Sequence, residues 1–187
     1  MAQVSDVAPS TTASAQDFFE LLAQFRALSL YYQEIHWTNQ SNLFYEDHLL
    51  AERLYNDVND QIDEIAEKGI GATNDRSFPL VIPQLARVAE ILQPYPHVGD
   101  ATELFGGALQ FEMALGSLLD EMFVRIRSAG VNDLIGQLAD SGLQRIYLLQ
   151  SQIGPTTAPP SPDVTAPMTV QARLAQAMDA ELRKARK

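Results

Sequence analysis

His48 and Glu52 stand four residues apart, and so do Asp63 and Glu67. All four lie in the stretch HWTNQSNLFYEDHLLAERLYNDVNDQIDEIAE, residues 36–67, which also carries His36 and the single tryptophan, Trp37. On a helix, positions i and i+4 share a face. At about 100° per residue, His48, Glu52, Asp63 and Glu67 fall within a stripe roughly 100° wide. One imidazole and three carboxylates therefore line a face where apolar residues would normally sit. Imidazole nitrogen and carboxylate oxygen together suit divalent iron, manganese or zinc. Two neutral histidines and three carboxylates would leave such an ion partly coordinated, with room for oxidant or water. One acidic pair on a helix is ordinarily a solvated face, and one histidine at a helix end is ordinarily structural. The joint pattern is what points to a metal.

Distance sharpens the reading. His48 and Asp63 are separated by ~22 Å of helix at ~1.5 Å per residue. No single ion can touch both pairs of one chain. Either the pairs serve different purposes, or a second copy runs antiparallel and sets its Asp63 and Glu67 beside the first chain's histidines. A two-fold dimer would do the latter automatically and create two identical sites.

Four long amphipathic helices must position these residues. Ser14 and Asp17 form a start signal for a helix over about 15–39, with Phe18, Leu21, Leu22, Phe25, Leu28, Tyr32 and Ile35 at helical spacing. After the break TNQSN a second helix begins near Leu43, burying Phe44, Ala51, Leu54, Val58, Ile62 and Ile65, and is predicted to end at Gly69 and Gly71. A short helix spans about 81–92 between prolines. A third long helix, about 101–129, starts at Asp100 and Glu103, carries a stripe from Leu104 through Leu118 to Ile126, and is predicted to close at Gly130. Its Gly106, Gly107 and Gly116 are expected to mark close approach of a neighbour. A fourth, about 132–152, presents Leu134, Leu138, Leu143, Ile146, Leu149 and Ile153. The Pro-rich run 154–168 reads as an extended linker, and a last short helix as about 170–185. No stretch alternates at period two for long enough to build a sheet. The expected fold is all-α: a four-helix bundle with a short extra helix between its second and third helices and a C-terminal tail helix.

Composition sets the outer bounds. At 187 residues the chain reads as one domain, 14–153, flanked by a polar N-terminal tail, 1–13, and the tail 154–187. A formal net charge of −11 disfavours general affinity for nucleic acid. The absence of cysteine excludes disulfides and thiolate chemistry and fits a reducing, cytoplasmic setting. The N-terminus has neither a basic region nor an apolar run, so no signal peptide is expected. No apolar segment approaches the ~18 residues that span a bilayer.

The spacing H-x11-H-x3-E-x10-D-x3-E, ending in IDEIAE, resembles the Dps family, the mini-ferritins of the ferritin-like superfamily. His36, His48, Asp63 and Glu67 match that family's H-x11-H-x3-D-x10-D-x3-E in type and position; Glu52 stands where the family usually has Asp. The intra-bundle E-x-x-H design of the larger ferritins is absent, since Gln33 and Tyr45 precede the two histidines by three. The likeness continues weakly through the short helix into VNDLIGQLADSG. It implies hollow shells of twelve four-helix subunits. It also implies di-iron ferroxidase sites at two-fold interfaces, where Fe(II) is oxidised by hydrogen peroxide or dioxygen and stored as ferric mineral. Carried over, Asp63 and Glu67 bind one iron with His36, Glu67 bridges toward a second, and His48 and Glu52 help hold that one. Zinc would compete. Trp37 matches the family's tryptophan beside the site, an electron donor or a packed interface aromatic. Asp133 matches a position at the iron pore, and Asp140 reads as solvated face. His97, between prolines, reads as a loop residue.

Many Dps proteins hold DNA through a lysine-rich arm. This N-terminus carries no Lys or Arg before Arg26. Arg173, Arg183, Lys184, Arg186 and Lys187 make the tail basic, but the acidic remainder opposes DNA contact, so any such binding is expected to be weak. Three readings follow: an iron-oxidising storage enzyme, which the site pattern favours; a nucleoid-binding protein with secondary iron chemistry; and a metal-sequestering cage without catalysis.

Overall fold

The computed structural model describes residues 12–154. The predicted tail helix, the linker and the basic C-terminal residues lie outside them. Five helices follow in order: α1 (Ala15–Thr38), α2 (Phe44–Thr73), α3 (Val81–Leu92), α4 (Ala101–Arg125) and α5 (Ala129–Ile153). There is no strand among the described residues.

Local chemistry starts α1 and α4 in the same way. Ser14 caps α1 by accepting from Asp17 N–H while the Asp17 carboxylate accepts from Ser14 N–H. Asp100 and Glu103 repeat this reciprocal box at α4. The Asp17 carboxylate also takes Arg125 from the end of α4, at 2.6 and 3.2 Å. Burial alone would raise the Asp17 carboxyl, but the hydrogen bonds from Arg125 and Ser14 together outweigh it and hold its pKa below the usual value. A carboxyl depressed on folding stabilises the folded state above its unfolded pKa and loses that contribution as pH falls through the folded one. Arg125→Gln is therefore expected to cost about 1 kcal/mol at pH 7 and progressively less below about pH 4, which urea titrations at pH 7 and pH 3 would read.

The helices pair as two hairpins. α1 packs on α2, and α4 on α5; α1 also meets α4, α2 meets α5, and α3 lies against α1. Every residue of the predicted α1 stripe is fully buried, from Phe18 to Ile35. On α4 the inward face is Leu104, Ala108, Phe111, Leu115, Leu119 and Met122, with Leu118 only partly covered. Gln84 ties α3 to the core by donating to the carbonyls of Phe19 and Phe78, both at 3.0 Å.

Several boundaries differ from the sequence expectation. α2 runs through Gly69 and Gly71 to Asn74, whose N–H closes the last helical bond to Ile70 O at 2.8 Å and whose left-handed backbone (φ 53°) then turns the chain out of the helix. Gly69 is there for packing. A Cβ at this position would stand 2.7 Å from ring atoms of Phe18 and Phe78. Gly71 has open space around it. Gly69→Ala is expected to destabilise by about 1–2 kcal/mol through overpacking, and Gly71→Ala to stabilise by about 0.5–1 kcal/mol through helix propensity; urea midpoints of the two variants should move in opposite directions. Gly107 does mark a close approach, against the Tyr31 hydroxyl and Pro96, whereas Gly106 and Gly116 face open space.

Gly130 does not close the third long helix. α4 stops at Arg125 because Ile126 turns extended (φ −92°, ψ 127°) to bury its side chain completely. Gly130 then falls in the first turn of α5, which begins three residues earlier than the spacing suggested. Leu143 is exposed rather than inward, as is Phe44. On α5 the inward positions beside Leu143 are Gly142 and, unexpectedly, Arg145.

Candidate metal half-sites

The break between α1 and α2 brings His36, in the last turn of α1, onto His48, in the second turn of α2. Their rings stack at 3.7 Å with planes 24° apart. Each histidine bonds the other's backbone: His36 Nδ1 meets His48 O at 3.0 Å, and His48 Nδ1 meets His36 O at 3.0 Å. A carbonyl can only accept, so both Nδ1 atoms carry their protons and donate. In the neutral ring the Nε2 lone pair is then free on both histidines, the tautomer a metal ligand needs. The local reason is helix chemistry. The last carbonyls of α1 have no intrahelical donor, and His48 supplies one to His36 O. Phe44 stacks on His48 at 5.3 Å and Tyr55 sets its ring edge-on to His36 at 5.5 Å, so aromatic walls hold the imidazole pair.

The loop beneath this pair is pinned by Asp47. Its carboxylate is buried and accepts short hydrogen bonds from Ser41 in the loop and from Gln152 near the end of α5. Sequence spacing did not single it out, because an acid next to an exposed Glu46 reads as solvated face.

The acidic half lies elsewhere. Glu52 follows His48 by one turn and is partly covered; Asp63 and Glu67 are exposed farther along α2. Among the described residues no group of three or more His, Asp or Glu side chains converges on one metal position. The structure thus brings His36 and His48 together and keeps Asp63 and Glu67 well along the helix. Arg26 of α1 neighbours Asp63: burial depresses its guanidinium, and the Asp63 charge counters that. Trp37 is 69% exposed and lines an open cleft of about 1080 Å³ with Phe44, Asn39 and the start of α4. Asp133, exposed on the second turn of α5, accepts from Gln137 and lies 3.9 Å from Lys68. Asp140 is exposed. His97 is in a loop, as expected, but it is not idle: it bonds Glu34 at 2.9 Å and Leu92 O at 3.1 Å, tying α1 to the end of α3.

A buried polar cluster at the centre of the bundle escaped the sequence reading. Arg145 (α5) and Glu112 (α4), each 1% exposed, pair at 2.5 Å. Tyr32 (α1) donates to Glu112 at 2.7 Å, and Arg145 donates to Gln61 (α2) at 3.1 Å. Burial pushes the Tyr32 phenol well above its ordinary range, helped by the Glu112 charge and opposed by Arg145. Burial alone would depress the Arg145 guanidinium, but Glu112 holds it above its usual value.

All-helical architecture, two antiparallel hairpins and a short helix across the long connection define a ferritin-like four-helix bundle. Within that class the fold is the one seen in Dps proteins. The chain superposes on the Dps protein of Vibrio cholerae O1, described as a member of a broad superfamily of ferritin-like diiron-carboxylate proteins, with a TM-score of 0.62 and 20% identity over 75% of this chain and 88% of that one. DpsC from Streptomyces coelicolor gives 0.65 at 20% identity, covering 78% and 86%. Dps from Thermosynechococcus elongatus gives 0.61 at 19%, covering 78% and 95%. No family model and no curated protein matches the sequence. Among the described residues no helix is long and apolar enough to cross a membrane.

Proposed function

We propose that this chain is a Dps-like ferroxidase and iron-storage protein. Its metal site would form between two-fold related subunits. His36 and His48 come from one chain, and the other ligands are Asp63 and Glu67 of the partner subunit. The observation that carries the reading is the histidine pair with both Nδ1 protons committed to carbonyls and both Nε2 lone pairs free. Such a pair is half a coordination shell, and its carboxylate complement sits out of its own chain's reach. Glu52, one turn from His48, would assist the second ion.

Iron is substrate and cargo here. Two Fe(II) ions each give up one electron; hydrogen peroxide takes both, its O–O bond breaks, and the oxygens leave as hydroxide or, after proton uptake, water. Two electrons delivered together avoid release of hydroxyl radical. Glu67 would bridge the two ions, and the excess negative charge of the chain would draw Fe(II) in. Ferric product would collect inside a closed shell, with twelve subunits as the expected number. Exposed Trp37 would serve as an electron donor beside the site or as an interface anchor, and Asp133 would line an iron entry pore.

The test is an Fe(II) titration of the metal-free protein with and without peroxide, beside its solution mass. A shell-sized particle and a rapid peroxide-dependent phase that accounts for two Fe(II) per chain, ahead of further mineral growth, are expected. A monomer, or oxidation no faster than in buffer, sinks the proposal. Zinc binding without oxidation would favour a sequestering cage. A salt-sensitive gel shift lost on deleting residues 170–187 would favour the nucleoid reading.

A further inference from the structure

We infer that the Glu112–Arg145 pair is a positioning device that sets the two half-sites of each chain in register with one another. This rests on the inter-subunit reading of the site. The cluster takes one side chain from each bundle helix: Tyr32 from α1, Gln61 from α2, Glu112 from α4 and Arg145 from α5. Its members sit beside the ligands in sequence. Tyr32 precedes His36 by one helical turn, and Gln61 precedes Asp63 by two residues. A second link in the same region joins α1 to α2, where Ser29 donates to Asn59 at 2.7 Å. The network therefore lies between the histidine half and the acidic half, which are ~22 Å apart along α2.

A site split across a two-fold axis makes an unusual demand. The partner's acids meet these histidines only if the separation and angle between the halves are right within each chain, to roughly 0.5 Å. Apolar side chains hold helices together but tolerate small rotations and slides. Directional hydrogen bonds to a buried guanidinium and carboxylate do not. Stability is a poor explanation for the pair, since a buried ion pair can usually be replaced by apolar residues at little or no cost. The polar atoms of Tyr32, Glu112 and Arg145 have hydrogen-bond partners within the cluster, so it is closed, and none of these bonds goes to His36, His48, Asp63 or Glu67.

The decisive variant is Tyr32→Phe/Glu112→Leu/Arg145→Met, which removes the polar atoms and keeps the volume. Its melting temperature and particle mass should match the wild type, while its affinity for Co(II), followed by visible absorption, falls at least tenfold and the Co(II) spectrum changes. Unchanged affinity and spectrum in the folded, assembled variant overturn the inference. If the triple variant does not fold, Gln61→Leu and Tyr32→Phe alone, which leave the ion pair in place, must each weaken Co(II) several-fold; no change in either also overturns it. His48→Ala in the same assay separates the two levels. If the wild type binds no Co(II) that His48→Ala removes, the metal-site reading itself has failed.

Discussion

Neither His48→Ala nor Asp63→Ala is expected to oxidise iron at an appreciable rate, whereas an equimolar mixture of the two, unfolded and refolded together, is expected to recover about one quarter of the wild-type rate. Each variant alone should lose about 100-fold or more, since even the groups that merely support a metal ligand are worth 10–100-fold. The recovery follows from symmetry. In a mixed pair, the histidines of the Asp63→Ala chain face the intact acids of the His48→Ala chain, and one of two sites is whole. The other site is doubly broken. Random pairing makes half the dimers mixed, hence about a quarter of the sites. A site built within one chain predicts no recovery at all. Stopped-flow absorbance of ferric product, on samples whose particle mass has been checked, reads the outcome. Folding should not confuse it. His48 is partly exposed, and its loss removes one side-chain hydrogen bond and the ring stacks on His36 and Phe44, about 1–2 kcal/mol. Asp63 is exposed.

Arg145→Ala is expected to cost about 3–5 kcal/mol, the range for stranding one member of a buried ion pair. For a domain of this size that lowers the melting temperature by roughly 10 °C or more. Glu112 would be left at the bundle centre with the Tyr32 hydroxyl as its remaining donor. Glu112→Ala should cost a comparable amount, because the guanidinium is then stranded. Glu112→Ala/Arg145→Ala should cost clearly less than the sum of the two single alanine variants, the mark of residues that act as a unit. Calorimetry on the three variants decides it; additive losses would mean that the pair is not coupled.

These two expectations differ in how far the sequence foretold them. The spacing of the candidate ligands was legible because it is helical arithmetic. His48, Glu52, Asp63 and Glu67 lie on one stripe whatever surrounds them, and the span from His48 to Asp63 is set by rise per residue alone. The capping boxes at Ser14 and Asp100 were legible for the same reason: both partners are three residues apart. The fully buried stripe of α1 followed from apolar periodicity.

What periodicity could not give was any choice that depends on a neighbour from another helix. Gly69 reads as a helix stop until Phe18 and Phe78 are placed against it. Leu143 reads as core and nothing in the spacing marks Arg145; yet Leu143 is exposed and Arg145 buried, because Glu112, 33 residues away, waits on α4 to receive the guanidinium. The tautomers of His36 and His48 were equally hidden, since they depend on two carbonyls that meet the rings only after α1 and α2 fold back on one another. By itself the sequence determined that the candidate ligands His48, Glu52, Asp63 and Glu67 share one stripe and that one chain's reach is too short to join them, since both are properties of a single helix. Only the tertiary structure decided which histidine nitrogens are free and what holds the four helices in register, because both depend on hydrogen bonds between segments the chain keeps far apart.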